Sequence, residues 1–289
     1  MFDQFSPLVN VLLLSLVASM GTALGGALAI IRRPGRRAYG FMMGIAAGVM
    51  ICLAFMELVN EAWELGGPTA ATLGFGIGAV FMLVLDYLAP HLRFGEIEYH
   101  GHHPEDEFAV SDDSSLHPSR VRRRRRRGLN WGNHEGVPVD TKLISSGLLL
   151  AIGISLHNLP EGISVGAGYM HNPQFGLFIA MAIMLHNIPE GLATALPLSK
   201  GGAKRGYALG IAVLSGLAEP LGAVLASLFL GSFQNLIPGA LAFAGGVMVY
   251  ITLDELIPSA REYGSVHWTS LGIIVGSIFV FLLSAWMGV

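Results

Sequence analysis

Two hexapeptides hold the side chains best suited to chemistry: His157-Asn158-Leu159-Pro160-Glu161-Gly162 and His186-Asn187-Ile188-Pro189-Glu190-Gly191. In each, an imidazole and a carboxylate are four residues apart, which on a helix puts both on one face, one turn apart. Asn158 and Asn187 add an amide beside each imidazole, and Glu219 brings a further carboxylate. Imidazole nitrogen with carboxylate oxygen, and no thiolate, suits divalent zinc, iron, manganese, cobalt or nickel. It disfavours Cu(I), and the imidazoles argue against magnesium or calcium as the main ion. The seven candidate ligands, His157, Asn158, Glu161, His186, Asn187, Glu190 and Glu219, exceed one tetrahedral site. Two adjacent metals bridged by Glu161 and Glu190 would use them better.

The elements that carry these residues are apolar. Of 289 residues, 53% are hydrophobic and 13% charged, and the mean hydropathy of +0.59 is too high for an ordinary soluble domain. Several apolar runs reach about 20 residues, enough to cross a bilayer. The expected class is therefore all-α, a polytopic membrane bundle. Eight spans are expected, at roughly 8–31, 38–59, 69–90, 143–167, 175–198, 207–230, 239–258 and 268–288. Glu61 and Glu64, with Gly66-Gly67-Pro68, read as a short acidic loop between the second and third. The 38 glycines fit close helix approach in lipid. Cys52, the single cysteine, excludes an intrachain disulfide.

Charge sorting sets the orientation. All 17 Lys and Arg fall in or beside alternate loops, which by the positive-inside rule are cytoplasmic, so both termini face outside. The domain reading is one membrane domain: three spans in 1–90, a polar cytoplasmic segment at 91–141, and five spans in 142–289. The polar segment has no helical period and reads as a flexible loop. Its run Arg122–Arg127 reads as a topology determinant and lipid-headgroup contact rather than a nucleic-acid site. Its histidines, His100, His102 and His103, are candidate cytoplasmic metal ligands.

The charges place His157, His186 and Glu219 near the midpoints of the fourth, fifth and sixth spans. Ionisable groups at such depth are costly and point to function. Pro160 and Pro189 cannot donate a backbone hydrogen bond, so a kink is expected at each, with the carbonyls of Leu156 and Leu185 freed. Further acids mark a candidate ion route: Glu57 on the outer side, with Met50 two turns deeper, and Asp86, Asp254 and Glu255 on the inner side.

The two HNxPEG copies on consecutive spans, Glu219 on the next, eight spans and a His-bearing third loop resemble the ZIP family of divalent-metal transporters, its bacterial members above all. The resemblance covers essentially the whole chain. It implies a ZIP-like bundle in the bacterial cytoplasmic (inner) membrane and zinc uptake into the cytoplasm, with selectivity often extending to iron, manganese, cobalt and cadmium. It further implies a binuclear centre on the seven residues named above, motion of spans one, four, five and six as a bundle against the rest, and frequent homodimers. Zinc is then the transported substrate, and no catalytic cofactor is expected.

The competing readings are an intramembrane metalloenzyme and a metal sensor. The helical protease pattern HExxH is absent, and bundle di-iron proteins use ExxH where this chain has HxxxE. No GxxxxGKS/T motif offers ATP as a driving force. A cytoplasm-negative potential would drive a dication inward by about 4.6 kcal/mol per 100 mV.

Overall fold

Ten α-helices form in chain order among the residues described by the computed structural model, 5–32, 34–88 and 140–289. They are α1 (Pro7–Ile31), α2 (Arg36–Cys52), α3 (Asn60–Leu88), α4 (Thr141–His171), α5 (Pro173–Lys200), α6 (Arg205–Gly216), α7 (Ala218–Ser232), α8 (Ile237–Ile251), α9 (Ile257–Tyr263) and α10 (Val266–Met287). Two π-helical stretches, Leu53–Val59 and Thr252–Leu256, join α2 to α3 and α8 to α9. Among the described residues, seven continuous runs are long and apolar enough to cross a membrane.

The longest run, Arg36–Tyr87, holds the second and third expected spans. It breaks at Gly67, whose φ of 74° lies in the region glycine tolerates, just before Pro68. The rings of Phe55 and Phe75 lie 5.7 Å apart. Along a straight helix, twenty residues rise about 30 Å, so the chain doubles back at Gly67 and eight crossing segments result. This corrects one expectation: Glu61 and Glu64 are helical, and the reversal needs a single non-helical residue.

The other joints are equally brief. Asn172 alone separates α4 from α5; its Oδ1 accepts from the Gln174 amide at 2.8 Å, with Pro173 at the first helical position. Asp140 Oδ1 caps α4 by accepting from the Lys142 and Leu143 amides at 3.0 and 3.2 Å. Leu217 interrupts the sixth span, ending α6 and starting α7, so Glu219 falls in the first turn of a helix. α4 and α5 remain helical through Pro160 and Pro189.

The helices sort into two groups. α1 packs along α5, α4 along α5 and α7, and α6 against α1; α3 packs along α8, and α2 along α10. Close backbone approach holds both groups together. A Cβ on Gly162 would lie 2.0 Å from the Glu219 carbonyl oxygen, and one on Gly191 would lie 1.9 Å from that of Thr22. In the second group, a Cβ on Gly48 would lie 2.1 Å from the Ile273 carbonyl oxygen, and one on Gly78 equally close to that of Phe243. Only glycine fits at such contacts. The groups meet where α4 lies on α8 and α2 on α5. At one end of α4, His171 Nε2 also contacts Glu61 Oε1 of α3 at 2.7 Å.

Outward faces are apolar. Leu73, Ile77, Val80 and Val84 form an exposed stripe on α3, as do Leu271, Ile274, Ile278 and Leu282 on α10. Such stripes suit lipid rather than water. Residues 91–139, with His100, His102 and His103, lie outside the described residues.

Candidate metal centre

All seven central candidates are buried, none more than 2% exposed. The helical spacing works as expected within each motif, but the closest contacts run between motifs. His157 Nε2 is 2.8 Å from Glu190 Oε1, and His186 Nε2 is 2.9 Å from Glu161 Oε1. Within the motifs the separations are longer, 3.4 Å for His157–Glu161 and 3.9 Å for His186–Glu190. α4 and α5 thus exchange partners, each histidine facing the other helix's carboxylate.

The asparagines tie this pair to the neighbouring helices. Asn158 Nδ2 donates to the Ser215 carbonyl of α6 at 3.1 Å. Asn187 Nδ2 donates to the Ala18 carbonyl of α1 at 3.2 Å and to Glu219 Oε2 of α7 at 2.8 Å. Behind the carboxylates, Ser164 donates to the Glu161 carbonyl at 2.6 Å and Thr194 to that of Glu190 at 3.0 Å.

Each of the seven residues keeps one buried polar side-chain atom without a hydrogen-bond partner. These are His157 Nδ1, Asn158 Oδ1, Glu161 Oε2, His186 Nδ1, Asn187 Oδ1, Glu190 Oε2 and Glu219 Oε1. A buried unsatisfied polar group costs about 1–3 kcal/mol. Seven on the residues of one cluster make a poor structural core. His157, Glu161 and Glu190 each offer a ligand atom, all within 4.8 Å of one another, the one such group among the described residues. Tetrahedral zinc with bonds of about 2.0–2.1 Å spaces its ligand atoms by about 3.3 Å, and the His–Glu contacts of 2.8–3.9 Å bracket that spacing.

The outlying candidates do not join this cluster. Met50 is fully buried, and its Sδ accepts from Thr252 Oγ1 at 3.6 Å. Glu57 is half-buried on the π-helical stretch. A π turn separates Met50 from Glu57, so the regular two-turn spacing expected between them does not hold. Asp86 is half-buried and Asp254 exposed. Glu255 differs: it is 7% exposed, on the second π-helical stretch, and close enough to His157 for their charges to interact.

Two contributors escape a reading of the sequence, and one nearby residue is overlooked by it. The Ala18 and Ser215 carbonyls are backbone groups and leave no residue-type signal. Thr22, fully buried on α1, does leave one, a polar residue inside an apolar span.

Comparison with known proteins agrees over nearly the whole chain. Residues 11–284 match the family described as ZIP Zinc transporter. Zinc transporter ZupT of Akkermansia muciniphila is 36% identical over 281 residues, 93% of this chain and 94% of that protein. Zinc transporter ZupT of Corynebacterium efficiens is 36% identical over 284 residues, 94% and 95% of the two chains. Similarity extends to Zinc transporter ZTP29 of Arabidopsis thaliana, 35% identical over 254 residues, 86% and 84%.

Proposed function

The chain belongs to the ZIP zinc transporter family, and we propose that it carries zinc across the membrane into the cytoplasm through the buried cluster of His157, Asn158, Glu161, His186, Asn187, Glu190 and Glu219. It is an integral membrane protein with seven long apolar helical runs. The reading adds that the membrane is the bacterial inner membrane, that both termini face outside, and that the protein is a carrier without catalytic activity.

The observation that carries the proposal is the buried cluster in which the imidazoles and carboxylates of the two motifs face one another, with seven polar atoms left unpartnered on the residues of the motifs and Glu219. Five of them are amide or carboxylate oxygens that a divalent ion can use directly, and each neutral imidazole adds one nitrogen lone pair, on Nε2 or Nδ1 according to its tautomer; a purely structural hydrogen-bond network would have paired more of them. Charge points the same way. Three ionised carboxylates with two neutral imidazoles carry three negative charges. One dication leaves one negative charge and two leave one positive, so either occupancy is close to balance. The donor number favours two ions, with Glu161 and Glu190 between them, each already facing both histidines.

Iron, manganese, cobalt and cadmium are the further substrates proposed, since the donor set has nothing that only zinc can use. The two helix groups support a motion in which α1 and α4–α7 move the ion past α2, α3 and α8–α10. Glu57 on one side, and Asp86, Asp254 and Glu255 on the other, would receive the ion at the ends of its path. Homodimers of this unit are part of the same reading.

The test is metal flux into proteoliposomes with zinc, iron, manganese, cobalt, cadmium and magnesium compared, and His157→Ala as the control. Zinc flux that disappears in His157→Ala is expected, with little magnesium flux. Tight zinc binding with no flux under any gradient would instead favour a sensor, and turnover of a substrate without flux an enzyme.

A further inference from the structure

Buried serine and threonine hydroxyls on the site-bearing helices follow one habit, bonding to a carbonyl three or four residues back in their own helix. Ser15 donates to the Val11 carbonyl at 2.9 Å, Ser19 to Leu16 at 2.9 Å, Ser164 to Glu161 at 2.6 Å, Thr194 to Glu190 at 3.0 Å, Ser215 to Ala212 at 2.8 Å and Ser227 to Val224 at 2.9 Å. This is the local bond a helix offers any serine or threonine. Thr22 is the exception: it is fully buried, and its Oγ1 has no partner. The remaining buried side-chain atoms of that kind among the described residues all belong to the seven residues of the cluster.

Position ties Thr22 to the cluster as well. One turn before it on α1, the Ala18 carbonyl accepts from Asn187. The carbonyl of Thr22 itself lies against Gly191, next to Glu190, where an added Cβ would come within 1.9 Å. Its Oγ1 faces Gly216, at 3.1 Å from where a Cβ would stand, and the adjacent Ser215 carbonyl accepts from Asn158. Thr22 therefore sits beside both asparagine anchors, on the helix that packs along α5 and against α6.

We propose that Thr22 is a specificity-determining residue of the transport site, its hydroxyl giving a neutral oxygen to the coordination sphere of the ion. The proposal rests on the reading that the central cluster carries the ion. A neutral oxygen matters most to ions that want many oxygen ligands, such as manganese, and least to zinc, which is satisfied by four ligands including imidazoles. Thr22 is thus the residue that widens selectivity beyond zinc.

The experiment measures zinc uptake into proteoliposomes with manganese as competitor, for the wild type, Thr22→Val, Thr22→Ser and Glu190→Ala. Valine keeps the shape and removes the hydroxyl; Thr22→Ala serves in its place if the valine variant is not recovered folded. The expected result is manganese competition weakened about tenfold in Thr22→Val, with a smaller change in zinc KM and recovery in Thr22→Ser. An unchanged manganese-to-zinc ratio in Thr22→Val, a serine variant no better than valine, or wild-type uptake that manganese cannot inhibit overturns the proposal. A merely structural role would change rates for both metals alike and leave their ratio fixed. Zinc uptake retained in Glu190→Ala would overturn the central-site reading itself, and Thr22 with it.

Discussion

Among the described residues, helices α1 and α4–α7 hold fifteen of the nineteen buried polar or charged residues; the other four are Thr252 and Glu255 on the second π-helical stretch, Ser259 on α9 and Thr269 on α10. The two groups are nevertheless held together by the same device, glycines that let backbones touch, as at Gly162 and Gly191 in one and Gly48 and Gly78 in the other. Helix association therefore does not explain the polar interior of the first group. Lipid tails provide little hydrophobic drive between helices, and small-residue contacts suffice without buried carboxylates. The polar groups are an added cost concentrated in one half, with Glu255 the one buried carboxylate of the other half among the described residues, which is what a binding site within an otherwise ordinary bundle requires. The apolar half has the character of a scaffold.

Breaking the contrast begins with the carboxylates. Glu161→Ala or Glu190→Ala is expected to reduce zinc uptake to the level of empty vesicles, because each faces both histidines; near-normal flux in either would remove the central site. A matched pair of glycine substitutions sharpens the comparison. Gly191→Ala and Gly48→Ala meet the same steric obstacle, a carbonyl at 1.9 and 2.1 Å, and each should cost about 1–3 kcal/mol of stability. Only Gly191→Ala should also weaken zinc affinity in equilibrium binding, since it displaces α1 from α5. Equal loss of affinity in both would mean that the halves are not functionally distinct.

Smaller effects follow. Asn187→Ala removes the bonds to Ala18 and Glu219 and one neutral oxygen donor of the cluster, and should weaken zinc binding at least about tenfold. Asp254→Asn, on an exposed residue, should change uptake less than Asn187→Ala does and leave equilibrium affinity unaltered. Deleting residues 96–135, within the polar segment, should leave initial zinc uptake essentially intact. Loss of flux in a folded deletion would put the transport machinery partly outside the bundle.

Much of this was legible in the sequence, because a bilayer imposes simple rules. Apolar run length marked the long apolar helices, and the repeat His-x-x-x-Glu picked out side chains that the fold brings together in one buried cluster. What was not legible lies between elements. Nothing local pairs His157 with Glu190, 33 residues away, rather than with Glu161 one turn on. Neither Asn158 nor Asn187 announces that its anchor is a backbone carbonyl. The acidic stretch at Glu61 and Glu64 looked like a loop because charged residues with glycine and proline usually are. Gly67 alone makes the reversal, so the helix runs up to it. The π-helical stretches carrying Glu57 and Glu255 have no residue signature and follow from packing.

The measurement that tests the central claim most directly is zinc X-ray absorption on the purified protein, wild type and the double variant His157→Ala, His186→Ala. The account predicts nitrogen and oxygen ligands at about 2.0–2.1 Å with imidazole scattering that disappears in the variant. A sulfur shell at about 2.3 Å, or a spectrum unchanged by loss of both histidines, would contradict it.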